Sequence, residues 1–312
     1  QMTRVPLGVR ADEVVLTSVQ LSPTSSALES WQAVGTLHAT LLDRLREQPG
    51  VMSAGSSNFL PMEHGWRGPL VRGDQPPVRT DEAPQAQHHS VSEGYLETMG
   101  ATLLEGRFFT PQDSAMTESV VVLNETAAKR YFPGEPAVGR EMLSWASQIG
   151  PLGRNLTWQV GTDGRRIQPR LRVVGVIADI QNVALGMPVE PAAYFPTRQF
   201  PFSAVTIAIS AHDTATALGA MRTALRSVSP LTPLGTIETW RDRFNTRTAE
   251  PRLLMTTLTG FGALAGFLAA LGVYGLLAFH AAYFFAIQSA PVIEVSLIIY
   301  LWPLLIVVFS AL

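Results

Sequence analysis

Residues 253–287, LLMTTLTGFGALAGFLAALGVYGLLAFHAAYFFAI, run for thirty-five positions without a charged side chain. A helix advances about 1.5 Å per residue and the hydrocarbon core of a bilayer is about 30 Å thick, so about 20 apolar residues cross it. The stretch exceeds that length, and its first turns are expected in the interface or above it. A second apolar run, residues 292–312, follows. Between them Gln288, Ser289, Ala290 and Pro291 form a plausible helix break. The expectation is one membrane helix over 251–287 and a second membrane or membrane-associated helix over 288–312. A buried apolar hairpin inside a soluble core is disfavoured, because uncharged apolar runs of this length are rare outside membranes.

Within the first run, Gly262 and Gly266 form a GxxxG pair, with Gly272 and Gly275 further along. Small residues let another helix backbone approach closely, against the second run or another protein, although glycine is also simply common in membrane helices. His280 is the one odd residue in this run, since ionisable groups are expensive in a bilayer. Its neutral imidazole is a candidate ligand for a haem- or chlorophyll-type metal. The plainer reading is an interfacial histidine beside Tyr283 in the aromatic belt. Glu294 is placed either to hydrogen-bond His280 across the hairpin or to mark where the second helix enters.

The charge distribution divides the chain. It has 312 residues, 23 basic and 25 acidic, for a net charge of -2. Every basic residue lies at or before Arg252, and Glu294 is the single acidic residue beyond it. A basic footprint for nucleic acid is absent. There is no cysteine, which excludes a disulfide scaffold, a thiolate metal site and a cysteine nucleophile. Residues 1–20 lack the apolar stretch of a signal peptide, and the first residue is Gln, so a processed or partial chain is expected. Arg241, Arg243, Arg247 and Arg252 precede the apolar run. Taken alone, the positive-inside rule places that end in the cytoplasm.

Residues 1–250 read as α+β. EVVLTSVQLS (13–22) alternates as a strand. Ser26 and Glu29 match a capping box, and Trp31, Val34, Leu37, Leu41, Leu42 and Leu45 follow helical spacing up to Pro49-Gly50. Further strands are expected at 51–62, 88–92, 119–124, 171–180 and 205–210, with short helices at 93–100 and 125–132. Asp213 caps a well-patterned helix that follows it. Residues 63–86 are expected as a long loop, and 144–169 as a polar, glycine-rich insertion.

No catalytic constellation emerges. His88 and His89 are adjacent, so on a strand they point to opposite faces and cannot jointly grip a metal. His38 sits on an amphipathic helix, where a surface or rim role is expected. His64 follows Glu63 without HExxH spacing, and neither a GxSxG nor a Walker A sequence occurs. Asp179 ends a strand, more often as a turn-former than as a catalytic carboxylate. No metal, cofactor or enzymatic activity is expected.

The order of segments then resembles a known family. LLDRLREQPGV (41–51), VSEGYLETMGATLLEGRFFTPQD (91–113), VVVLNETAAKRYFPGEPAVGR (121–140), RVVGVIADIQNVAL (172–185), PAAYFPTRQ (191–199) and AEPRLLMTTLTGFGALAGFLAALGVYGLLAF (249–279) are similar, in order, to the periplasmic domain and following helix of FtsX/MacB-type ABC transporter permeases. The resemblance implies a two-lobed α+β periplasmic domain above a bacterial inner-membrane helix. It places the arginines before Leu253 in the periplasm, against the charge rule. After Phe279 the chain departs from the family pattern, since the basic cytoplasmic segment is missing. Two functions are therefore expected: a non-enzymatic anchored subunit docking on a larger membrane complex, or an ABC permease subunit. An ATPase partner follows only from the second.

Overall fold

A computed structural model describes residues 14–21, 28–63, 65–75, 82–144, 159–160, 166–167, 170–182, 187–289 and 291–310. The expected capping box at Ser26 lies outside them, as do His64 and most of the 144–169 insertion. In chain order the first elements are β1 (Val14–Gln20), α1 (Leu28–Arg46), β2 (Val51–Ser57), β3 (Trp66–Arg72), β4 (Gln85–Val91), α2 (Tyr95–Thr98), β5 (Leu103–Gly106) and β6 (Val120–Asn124). Then come α3 (Glu125–Tyr131), β7 (Glu141–Ser144), β8 (Gln159–Val160), β9 (Arg166–Ile167), β10 (Arg170–Ile177), β11 (Ala192–Pro196) and β12 (Ala204–Ala211). The last are α4 (Thr214–Val228), β13 (Ile237–Thr239), α5 (Trp240–Ser289) and α6 (Val292–Ser310). Two compact units result, Gln1–Thr246 and Arg247–Leu312, so the division falls a few residues before the expected boundary at 250.

The strand pairings resolve the first unit into two lobes. In one, β2, β12, β1 and β13 lie side by side, all antiparallel. With α1 after β1 and α4 after β12, this is a split β-α-β arrangement interrupted by the residues between β2 and β12. One face is covered by α1 and α4, through Val15, Ile207 and Ile209 against Leu41, Leu42, Leu45, Met221 and Leu225. The alternation read in residues 13–22 serves this: Val15 and Val19 face the helices, while Val14 and Leu16 face the opposite core.

The other lobe is the interruption itself. β4 pairs with β3 and, in parallel, with β11. β11 pairs with β6, β6 with β10, β10 with β7, and β7 with β3. The pairings therefore close into a ring of six strands. Each contributes to one apolar cluster, through Leu70, Ala86, Leu123, Met142, Val173 and Phe195 among others. That shared cluster is the ring's interior, and α3 adds Ala127 and Tyr131 to it. Closure removes exposed edges from these short strands. The lobes meet at a single β2–β4 bridge, Ser57 to Val91, and across a third cluster that joins Leu16 and Ala208 to Val122 and Tyr194.

Residues 66–72 form a strand where a loop was expected. Its sequence, WRGPLVR, carries Gly68 and Pro69, which ordinarily argue against a strand. Here Gly68 is needed, because a Cβ would lie 2.6 Å from the His88 ring. Gly55 is required for a similar reason: α2 crosses β2 so closely that a Cβ would sit 2.3 Å from Tyr95 Cα. Gly100, φ 70°, ends the short helix as expected. Asn124 caps α3 by accepting from Ala127 N at 2.9 Å, and Asp213 caps α4 by accepting from Thr216 N at 2.7 Å.

In the second unit, Met255–Ser289 of α5 is a helix long and apolar enough to cross a membrane. Its described residues are almost all exposed. In α6 the apolar described stretch, Ile293–Pro303, is shorter than a span, with Pro303 inside the helix. The side chains from 304 onward lie outside the described residues.

Candidate functional site: the base of α5 and its apolar stretch

Chemistry can be delimited first. Among the described residues no group of three or more His, Asp or Glu could hold a metal ion. The pairs that looked most like chemistry have structural work instead. Asp179, after β10, accepts from Thr126 N at 2.9 Å and Thr126 Oγ1 at 2.6 Å, tying the first turn of α3 to the ring. His88 and His89 do face opposite sides of β4. His88 lies edge-on to Trp66 and Phe195, with centroids at 5.0 and 5.1 Å. His89 stacks on Tyr194 at 5.2 Å. His38 is buried, 3% exposed, rather than at a rim. Amphipathic patterning assigned it to the polar edge of α1, but that edge is itself covered in the fold. Desolvation pushes all three imidazoles down, to about 4 for His38, about 3 for His88 and about 4 for His89. They are neutral in the folded domain at neutral pH.

The base of α5 is built from a cap, an anchor and a charge cluster. Thr239 precedes the helix, and its Oγ1 accepts from Asp242 N at 3.1 Å while donating to Asp242 Oδ2 at 2.7 Å. Thr239 thus caps the helix by satisfying one of its first free N–H groups. Trp240, the first helical residue, is 3% exposed and belongs to the cluster shared by both lobes. Phe244, one turn on, packs against the same cluster. Arg243 forms ion pairs with Glu238 at the end of β13 and with Glu63 in the segment after β2. All three side chains are less than a third exposed. Partial burial strengthens such pairs relative to surface ones.

A second clamp fixes the lobe contact. Arg46, at the end of α1, donates to Ala54 O at 2.9 Å and Glu93 O at 2.7 Å. Arg198 pairs with Glu93 at 2.7 Å. Neither cluster was visible in the sequence, because Glu63 lies 180 residues from Arg243, and Glu93 lies 47 from Arg46 and 105 from Arg198. Arg243 was counted there only as a topological charge.

The residues proposed for helix packing all lie on α5. Gly262, Gly266, Gly272 and Gly275 are exposed, and a Cβ at any of them would meet nothing within 4 Å. With about 3.6 residues per turn, Gly262 and Gly266 share one face, Gly272 lies to its flank and Gly275 nearly opposite Gly266. The chain therefore brings no helix of its own against them among the described residues. His280 is exposed, and its Nδ1 is 2.8 Å from Leu276 O, one turn earlier. A carbonyl accepts, so Nδ1 is the donor. No hydrogen bond joins His280 to Glu294 among the described residues. Among the described residues of this region no set of groups converges on a reacting atom.

Several solved structures are similar at low identity. The periplasmic region of MacB from Actinobacillus actinomycetemcomitans is 17% identical, with a TM-score of 0.46, covering 78% of this chain and 96% of that one. The extracellular domain of the noncanonic ABC-type transporter YknZ from Gram-positive bacteria is 12% identical, TM-score 0.38, over 69% and 93%. A domain of a permease protein from Porphyromonas gingivalis is 11% identical, TM-score 0.41, over 74% and 91%. A curated protein, the aromatic amino acid exporter YddG of Ancylobacter novellus, is 55% identical over 40 residues, 13% of this chain. The chain spans only 14% of that exporter's length. Residues 13–227, well over half of the 312, match the model of the MacB-like periplasmic core domain, and the chain belongs to that family.

Proposed function

We propose that this protein is a non-enzymatic subunit anchored in the bacterial inner membrane. Its MacB-like domain lies in the periplasm and serves as a structural and interaction component of a larger membrane complex. The observation that carries the reading is the charge pattern after Arg252, where Glu294 is the single charged residue in sixty positions. Such a stretch suits burial in lipid and against other membrane helices. Exposed α5 glycines are compatible with a helix supplied by another protein, and the two α+β lobes provide an extracytoplasmic docking body. The lipid bilayer is the other partner; nucleic acid is not one.

Membership of the MacB-like family favours a second reading, a permease subunit of an ABC transporter for export or lipoprotein release. One purification separates the two. The protein is isolated from native membranes in mild detergent, and everything bound is identified and quantified by mass spectrometry. The accessory reading expects one or more membrane proteins near stoichiometry and no ATPase. A stoichiometric ATPase, with nucleotide-driven substrate movement that needs this chain, establishes the permease reading instead.

A further inference from the structure

Away from the lobe contact, α4 and the segment leading to β13 enclose a groove of about 320 Å³. Its floor is apolar, formed by Leu225, Leu234 and Ile237. On one wall stand Arg222 and Arg226, exposed and one helical turn apart. Neither guanidinium has a hydrogen bond or ion pair among the described residues. The other arginines of similar exposure with described partners, such as Arg44, Arg140 and Arg172, are paired with carboxylates. The opposite wall is held in shape by its own bonds, Ser229 Oγ to Thr232 Oγ1 at 2.7 Å and Gly235 N to Ser18 O at 3.0 Å. Ile237, the first residue of β13, lines the groove, and among the described residues β13 is the terminal strand of the sheet, paired on one side only with β1.

Among the described residues three features therefore meet: two guanidiniums without a hydrogen bond or ion pair, an apolar lining and a three-residue strand paired on one side. An isolated anion such as phosphate uses only the first. An extended peptide uses all three, since its backbone pairs with the edge while alternate side chains point to one face. Arginine forks match carboxylates, and an apolar floor lowers the local dielectric under such pairs. We propose that this groove binds an extended acidic segment of a partner protein, added as a strand along β13 with its carboxylates on Arg222 and Arg226. The inference rests on the interaction reading above and names the chemistry of one contact.

The test uses the full chain in detergent and a fluorescein-labelled peptide of alternating glutamate and valine, followed by fluorescence anisotropy. The expected result is saturable binding that weakens with added salt. The double variant Arg222→Glu/Arg226→Glu, both at exposed positions, weakens it by about tenfold or more, whereas Arg130→Glu, an exposed arginine elsewhere, leaves it unchanged. A lysine–valine peptide of the same length binds at least about tenfold more weakly. Absence of binding, equal binding by both variants, or full displacement by equimolar inorganic phosphate overturns the proposal. So does binding of phosphatidylglycerol vesicles, but not of the peptide, that depends on the two arginines. Failure here with a stoichiometric complex still recovered from membranes removes only this groove; failure to recover any complex removes the interaction reading.

Discussion

His88 gives the domain a calculable sensitivity to acid. It is 3% exposed in the strand ring, between Trp66 and Phe195, and neither ring nitrogen has a hydrogen-bond partner in the protein. Burial pushes its pKa from 6.5 down to about 3. The folded state therefore keeps the imidazole neutral, while the unfolded chain takes up a proton once pH falls below about 6.5. Stability contributed by the neutral ring is present above that value and is lost as pH falls toward the folded pKa. Between pH 7.5 and 5.0 the loss is about 2 kcal/mol for one such histidine, from about 1.4 kcal/mol per pH unit below 6.5. His38 and His89, both held near 4, add comparable amounts. Together they approach the whole stability of an ordinary domain, about 5–15 kcal/mol. Guanidinium unfolding of the full chain in detergent, followed by tryptophan fluorescence at the two pH values, measures the difference. In His88→Leu that difference shrinks by about 2 kcal/mol, whatever the substitution does to packing at either pH. An unchanged difference would mean that His88 titrates normally in the folded protein, and the argument from burial fails.

Other perturbations follow from the same structure. Trp240→Ala empties a site in the cluster shared by both lobes and lowers stability by about 3–5 kcal/mol in the same unfolding assay. Gly55→Ala places a methyl group 2.3 Å from Tyr95 Cα, a backbone atom that cannot rotate away; the variant accumulates poorly and resists proteolysis less than the parent. Arg243→Ala leaves Glu63 and Glu238 without their shared cation and costs about 1–3 kcal/mol by denaturant titration. The cost decreases in 1 M salt, because part of it is carboxylate repulsion that ions screen.

Local order was legible where local physics decides it. Val15 and Val19 alternate, Leu41 and Leu45 recur at helical spacing, and Asp213 caps its helix, so β1, α1 and α4 followed directly from residue patterns; the short helix at 125–132 was expected too, without its Asn124 cap. The two-lobed α+β domain came from the resemblance and from the order of elements. What stayed hidden depends on partners far away in sequence. β3 was unreadable because Gly68 and Pro69 oppose strand propensity, and only the approach of His88 explains the glycine. Ring closure rests on β4 pairing with β11, about a hundred residues downstream, which no local pattern encodes. His38 was misplaced because a polar residue on a helix reads as exposed until another element covers it. The Arg243 cluster was missed for the same reason.

Protease treatment of intact spheroplasts tests the central claim most directly, that a water-soluble domain stands outside the cytoplasmic membrane on an apolar tether. The account predicts that added protease digests the domain without lysis, and that an apolar fragment beginning near Met255, with Glu294 its single charged side chain, stays with the membrane after alkaline carbonate washing. A domain protected until the membrane is breached, or a full-length chain released by carbonate, contradicts it.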